Sequence, residues 1–335
     1  MKATIKDVAI KANVSVATVS RVVNELDGYS EETKERVLEA IKELGYQRNA
    51  IARGLVTKST NTIGVLIPIV SAYFYAEILN GIEDKANKHG YGIFLCNTGV
   101  NGVRAESYIK MLGERQVDAI IIVSLAMNEE YYNLLNSLKI PYILVSTLSY
   151  KYKIPYIKVD DQQASYTATQ YLIENGHKKI ALISGYKEDK IAGMPRVNGY
   201  TNALQDYDLE VNERLIKYGD FTYDSGLRCM EELLKEKDKF TAIFATSDEM
   251  AMAALSVMHK NKIEVPEEIS IIGYDNTLIA QMSNPPLTTI AQPLHEMGEK
   301  AMDRILGMLE TGKSGDNIIL PHKVVERDTV KLLKE

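Results

Sequence analysis

From residue 62 onward the chain repeats one pattern, and that pattern leaves few folds open. Apolar runs of five to seven residues (62–68, 92–97, 118–124, 141–146, 180–184, 242–246 and 269–273) are bounded by Gly, Pro, Asn or Ser. Between most of them lies a helix-length segment, as at 75–89 or 160–175. A strand that is apolar on both sides must be covered on both sides, so this alternation predicts βαβ units and parallel sheets. Two such sets are visible, one ending near Asp160 and one starting near Lys179. At roughly 100–200 residues per domain, a chain of 335 residues has room for two or three domains. The expected fold class is α/β, with two doubly wound parallel-sheet lobes whose ligands sit at the carboxyl ends of the strands.

The first sixty residues have a different texture. Thr4 can cap a helix, with Asp7 three residues on and Ile5, Val8, Ala9 and Ala12 at helical spacing. Asn13-Val14 ends it, and Ser15 opens a second helix carrying Val19, Val22 and Val23. After a loop through Asp27-Gly28, Ser30 caps a third, with Val37, Leu38, Ile41 and Leu44 on one face and Gly45 at its end. The prediction is a compact three-helix head without strands.

Composition excludes some classes and misleads about another. No apolar run approaches the ~18 residues of a membrane span, and the N-terminus does not read as a signal peptide. The two cysteines, Cys96 and Cys229, make neither a disulfide framework nor a four-cysteine zinc site, which suits a reducing cytoplasm. The net charge of −6 seems to argue against nucleic acid, yet residues 1–60 carry ten Lys or Arg against eight acids, so a head of +2 precedes a body of −8.

Residues 4–24 read as a helix, a tight turn and a second helix. The second exposes short side chains (Ser15, Ala17, Thr18, Ser20) and one cation, Arg21. Short side chains allow close entry into a major groove, hydroxyls reach phosphates, and Arg21 can read guanine bidentately. On spacing alone a small helical protein–protein module is the commoner reading, since most short helix pairs are of that kind. The segment 46–58 reads either as a linker or as a marginal helix, since Gly54 costs about 1 kcal/mol relative to Ala.

Asp7-Val8-Ala9, Thr18-Val19-Ser20-Arg21-Val22-Val23-Asn24 and Ala52-Arg53-Gly54-Leu55 closely resemble the LacI/GalR family of bacterial transcription regulators, and the resemblance covers essentially the whole chain, with the catabolite-control and sugar-operon repressors the branch most alike. It implies a helix-turn-helix head (1–46), a hinge helix or linker (47–60), and a body (61–335) like that of periplasmic binding proteins. Lobe 1 would span about 61–160 plus 293–320, and lobe 2 about 161–292 plus 321–335. The resemblance further implies that Val16, Ala17 and Arg21 face base edges, while Thr4, Ser15, Thr18, Ser20, Asn24 and Tyr46 contact the DNA backbone. Asn49, Ala52 and Leu55 fall in the hinge, where two copies pair in the minor groove and the leucine wedges into the central step of a pseudo-palindromic operator, kinking it. A homodimer is implied, with dimer contacts on helices of the first lobe near Phe74.

No catalytic or metal constellation stands out. The five histidines are isolated, and neither a Gly-x-Ser-x-Gly elbow nor a phosphate loop is present, so no enzyme and no cofactor is expected. Polar and aromatic residues do gather where strands end: Ser71, Tyr73, Phe74 and Tyr75 after 62–68, Asp160 and Asp161 after 156–159, Arg196 after Ser184-Gly185, Phe221, Ser247 and Asp248 after 242–246, Asp275 after 269–273, and Gln292 after 288–291. Aromatic faces with Asp, Arg and Gln suit a sugar or sugar-phosphate effector. For Asp160, Ser247 and Asp248, helix capping is the alternative. The resemblance assigns Arg196, Phe221, Ser247, Asp275 and Gln292 to the effector pocket.

Three classes stand against one another: a sugar-controlled repressor of carbohydrate-utilisation genes, a periplasmic sugar-binding protein, and a catabolite regulator whose corepressor is a serine-phosphorylated phosphocarrier protein. The second lacks a reason for the head. For the third, members of the family that bind the phosphoprotein offer a Tyr and an Arg where this chain has His295 and Asp303, and a carboxylate repels a phosphoserine.

Overall fold

The computed structural model describes residues 3–24, 26–46 and 59–333, so the expectations for Asn49, Ala52, Leu55 and the rest of 47–58 lie outside the described residues. Two compact units divide between Thr60 and Asn61.

The first unit holds α1 (Ile5–Ala12), α2 (Val16–Val23) and α3 (Glu31–Leu44). Thr4 and Asp7 form a reciprocal capping box, and Ser15 and Ser30 accept the N–H of Thr18 and Thr33, so each helix starts on a side-chain oxygen. Gly45 takes the left-handed conformation (φ 58°) that ends α3. The core joins Val8, Ala9 and Ala12 to Val19, Val22 and Val23 and to Val37 and Ala40. Leu38, expected on the inner face, is 49% exposed, and Ala40 is buried instead. One residue step turns a helix by about 100°, which carries Leu38 off the stripe that Val37 and Ile41 define.

The second unit contains two six-stranded sheets. Lobe 1 has β1 (Thr62–Ile67), β2 (Gly92–Asn97), β3 (Ala119–Val123), β4 (Tyr142–Val145), β5 (Tyr156–Val159) and, from far along the chain, β11 (Ile318–Leu320). Their order is β11-β5-β4-β3-β1-β2, all parallel. Lobe 2 has β6 (Ile180–Ser184), β7 (Ile216–Tyr218), β8 (Ala242–Ala245), β9 (Ser270–Asp275), β10 (Thr288–Ala291) and β12 (Lys323–Val325). The order β12-β10-β9-β8-β6-β7 is parallel except for β12, which runs antiparallel to β10. The three-residue strands β7, β11 and β12 are too short for period-2 alternation to mark them in sequence.

Each central strand is apolar on both faces for a visible reason. In β1, Ile63, Val65 and Ile67 pack beneath α4 (Tyr73–Lys88) and α12 (Leu294–Thr311), while Leu66 faces α5 (Ala105–Glu114) and α6 (Glu129–Leu138). In β8, Ala242 and Phe244 face α7 (Asp161–Glu174) and α8 (Gly193–Asp206), whereas Ile243 and Ala245 face α9 (Tyr223–Lys235) and α10 (Asp248–Lys260). Burying one such Ile or Phe stabilises the fold by about 1.5–3 kcal/mol. Where α4 crosses α12, Gly81 and Gly298 bring the two backbones so close that a Cβ on either would strike the opposite main chain. A short helix, α11 (Leu278–Met282), completes lobe 2.

The chain passes between the lobes three times: from β5 into α7, from β10 into α12, and from β11 into β12. Two side-chain links span these passages. Lys158 on β5 pairs with Asp161 at 2.7 Å and donates to the Ile191 carbonyl at 3.3 Å, and His322 lies 3.0 Å from the Thr167 hydroxyl.

Candidate functional site

In the head, α2 buries three of its four valines, Val19, Val22 and Val23, and turns the rest outward. Ser15, Val16, Ala17 and Arg21 are exposed, Val16 by 42%, while Thr18 and Ser20 are half-buried. The Ser15 and Thr18 hydroxyls lie 2.9 Å apart, and the Asn24 amide donates to the Ser20 carbonyl at 2.8 Å, so both ends of α2 are held by polar contacts. Thr4 donates through its backbone N–H and its hydroxyl to Asp7, each at 2.8 Å, and exposed Gly28 leaves room for the Arg21 guanidinium beside it. Tyr46 packs half-buried against the core. The outward face is short, hydroxylated and tipped by one guanidinium, a shape that can lie close to a nucleic-acid groove.

In the body, the carboxyl ends of both sheets enclose a cavity of ≈ 700 Å³. At its floor lies Arg196, 5% exposed, on the first turn of α8. Its Nε donates to Asp161 Oδ1 at 2.8 Å, one terminal nitrogen sits 2.7 Å from the same oxygen, and the other donates to the Thr246 carbonyl at 2.6 Å. The guanidinium carbon lies over aromatic rings, 3.9 Å from the Tyr274 ring centre and 5.4 Å from that of Phe221. These contacts engage three of its five donors, and the residue lines the cavity. Burial favours the neutral Asp161, but the charges of Arg196 and Lys158 outweigh it and hold that carboxyl below the usual range.

Two more carboxylates differ in character. Asp248 accepts from the Thr277 N–H (2.7 Å), the Thr277 hydroxyl (2.9 Å) and the Thr289 hydroxyl (2.6 Å), tying α10 to β10 and to the start of α11. Burial still pushes it up to about 6. Asp275, at the end of β9, is held by the Gln292 amide at 2.8 Å, and burial raises it well above the ordinary value. Its φ of 114° is a conformation that a non-glycine residue rarely adopts, and Ser124, Ser146 and Phe221 also have positive φ. All four line the cavity, and strain gathered at one place is characteristic of a site. The Phe221 ring stands where a side chain at residue 185 would be, so Gly185 makes space for it.

The candidate effector residues divide. Phe74, Arg196, Phe221, Ser247 and Asp275 line the cavity, and Gln292 acts from behind by orienting Asp275. Ser71, Tyr73 and Asp160 lie outside the lining. Tyr73 starts α4 and is 41% exposed, because one residue of helical rotation separates it from Phe74. Asp160 caps α7, accepting the Gln163 N–H at 3.0 Å, and its neighbour Asp161 is the buried partner of Arg196. Ser247 does both jobs, since it caps α10 and also donates to the Phe221 carbonyl at 3.1 Å. Asp248 is no cap. Tyr75, named with them from the sequence, lines the cavity, and Asp161, also named, stands behind it as the partner of Arg196; sequence reading passed over Tyr131 and Tyr186. The positions that distinguish phosphoprotein binding are paired within the body: His295 lies 3.0 Å from Asp84, and Asp303 is 2.8 Å from Lys85. Among the described residues no His, Cys, Asp and Glu group could hold a metal ion, and no helix is long and apolar enough to cross a membrane.

A helix-turn-helix head joined in one chain to a two-lobed ligand cleft defines a class, the effector-responsive DNA-binding regulators. Comparison with known proteins narrows it. The family of bacterial regulatory proteins, lacI family, matches residues 4–49, and the periplasmic binding proteins and sugar binding domain of the LacI family match residues 60–328. The chain belongs to the LacI family of DNA-binding transcriptional regulators. It is 41% identical to catabolite control protein A of Priestia megaterium over 333 residues, 99% of this chain and 100% of that protein. Its fold matches a transcriptional regulator CelR–cellobiose complex (32% identity, TM-score 0.75, 98% of this chain and 99% of the other). It also matches a lac repressor dimer bound to operator and the anti-inducer ONPF (27% identity, TM-score 0.89, 99% and 100%). These relatives are regulators, not enzymes.

Proposed function

We propose that the protein is a homodimeric repressor of carbohydrate-utilisation genes, acting in the cytoplasm on a pseudo-palindromic operator under the control of a sugar or sugar-phosphate effector, with no cofactor. The observation that carries the effector reading is the Arg196 guanidinium, laid against Tyr274 and Phe221 and paired behind by Asp161, facing the cavity beside Asp275. Aromatic faces cover the apolar side of a sugar ring, and an Arg–Asp pair forks onto neighbouring hydroxyls. The cellobiose held by CelR supports the same class of ligand. Effector in the cleft biases the arrangement of the lobes, and the paired hinges carry that bias to the heads, so ligand and DNA act on one two-state element.

A catabolite regulator with a phosphorylated phosphocarrier as corepressor is the second reading, supported by the likeness to catabolite control protein A. The carboxylates of Asp84 and Asp303 on the α4–α12 surface weigh against it, because they would face the phosphoserine.

One experiment tests the first reading: operator binding by fluorescence anisotropy, with and without a panel of sugars, for the parent protein and Phe221→Ala. The variant is expected to bind operator as the parent does and to lose the sugar response by about tenfold or more, since a stacked aromatic contributes about 1 kcal/mol beyond its buried area. An unchanged sugar response removes the cleft from the reading.

A further inference from the structure

Little around the cleft is left free to seat an anion. The usual seats for a phosphate are cations and open helix N-termini, and nearly all of those around this cavity are already filled by the protein's own oxygens. Asp189 caps the start of α8, accepting the N–H groups of Ile191, Ala192 and Gly193 at 2.8–3.2 Å. Asp220 accepts the Thr222 N–H at 3.1 Å ahead of α9, Ser247 takes that of Met250 in α10, and Asn128 takes that of Tyr131 in α6. Arg196 is the one Lys or Arg among the described lining residues, and it is bound to Asp161 and to the Thr246 carbonyl. Six carboxyl side chains line the same cavity: Glu188, Asp189, Asp220, Asp248, Glu249 and Asp275.

Two helix starts lack a side-chain cap: the five-residue α11, where the Thr277 N–H already donates to Asp248, and α4, whose cap residue Ala72 offers no side-chain oxygen and whose first turn reaches the cavity wall. A helix end is worth about half a positive charge. Added to one already paired guanidinium, it does not offset several carboxylates, although its N–H groups can still serve a neutral hydroxyl.

We infer that the effector of this cleft is an uncharged sugar and that its phosphate esters are excluded. The inference rests on the sugar reading above and narrows it to one of its two ligand classes. The lining agrees with it: aromatic Phe74, Tyr75, Tyr131, Tyr186 and Phe221 supply faces for sugar rings, and the carboxylates accept from hydroxyls.

The test is isothermal titration of the full chain with matched pairs: glucose and glucose 6-phosphate, fructose and fructose 6-phosphate, ribose and ribose 5-phosphate, cellobiose and its 6′-phosphate. Any parent sugar that binds is expected to do so about tenfold or more tightly than its phosphate. A phosphate ester that binds as tightly as its parent, or more tightly, overturns the inference while leaving the sugar reading intact. If no member of any pair binds, the sugar reading falls and this inference with it. The double variant Glu188→Gln/Glu249→Gln checks the cause: the gap between parent and phosphate should narrow, and an unchanged gap overturns the electrostatic argument.

Discussion

The two walls of the cleft are made from the same kind of fold and carry opposite chemistry. The lobe 1 wall is Pro68, Ile69, Phe74, Tyr75, Leu125, Met127 and their neighbours, apolar, hydroxylated or amide-bearing and without a charged side chain among the described lining residues. The lobe 2 wall holds Arg196 and all six carboxyl groups. Both sheets present their carboxyl ends to the ligand, so the difference comes from the residues placed at those ends. One wall offers charge and directed hydrogen bonds to a ligand, and the other offers cover.

The largest expected break in this comparison is on the charged wall. Arg196→Ala leaves Asp161 buried with Lys158 as its remaining cation, and losing a partner of a buried pair costs about 3–5 kcal/mol. Urea unfolding should show that loss together with loss of the effector response. A cost below about 1 kcal/mol would mean that water replaces the guanidinium.

A smaller effect follows from the acids on the same wall. The folded-state value for Asp248 is raised to about 6 from an ordinary value of 3.8. Between those two pH values the folded protein holds a proton that the unfolded chain has released. Stability present below the lower value is therefore lost as pH rises towards 6, and the buried Asp275 acts in the same direction. Unfolding midpoints measured from pH 4 to 7 in the parent and in Asp248→Asn should show a shallower fall over that interval in the variant. Equal slopes would remove Asp248 as a source of the dependence.

On the lobe 1 wall the expected effect is smallest. Tyr75, pushed up to about 12 chiefly by burial, bonds through its hydroxyl to Ser124. Tyr75→Phe removes one neutral hydrogen bond, worth about 0.5–1.5 kcal/mol in stability, and should change sugar affinity severalfold at most. An effect as large as that of Arg196→Ala would erase the distinction between the walls.

Much of the scaffold was legible in the sequence. Both-face apolar runs such as Ile63–Ile67 and 242–245 require covered parallel sheets, and Thr4, Ser15 and Ser30 mark helix starts by hydrogen bonds that stay within one turn. These signals are local, so they survive in one dimension. Leu38 shows the limit, since a single step around a helix decided between core and solvent.

The candidate site was only half legible, and the reason is distance along the chain. Sequence alone determined that polar and aromatic residues collect at strand ends and that a doubly wound sheet brings those ends together. It could not decide that Asp161, and not Asp160, meets Arg196 across 35 residues, nor that Asp248 meets Thr289 across 41. Those partnerships depend on helix rotation and on how two sheets close over one another. The balance of charge in the cleft was decided by the tertiary structure alone, because it depends on which side chains the two sheets bring to one cavity.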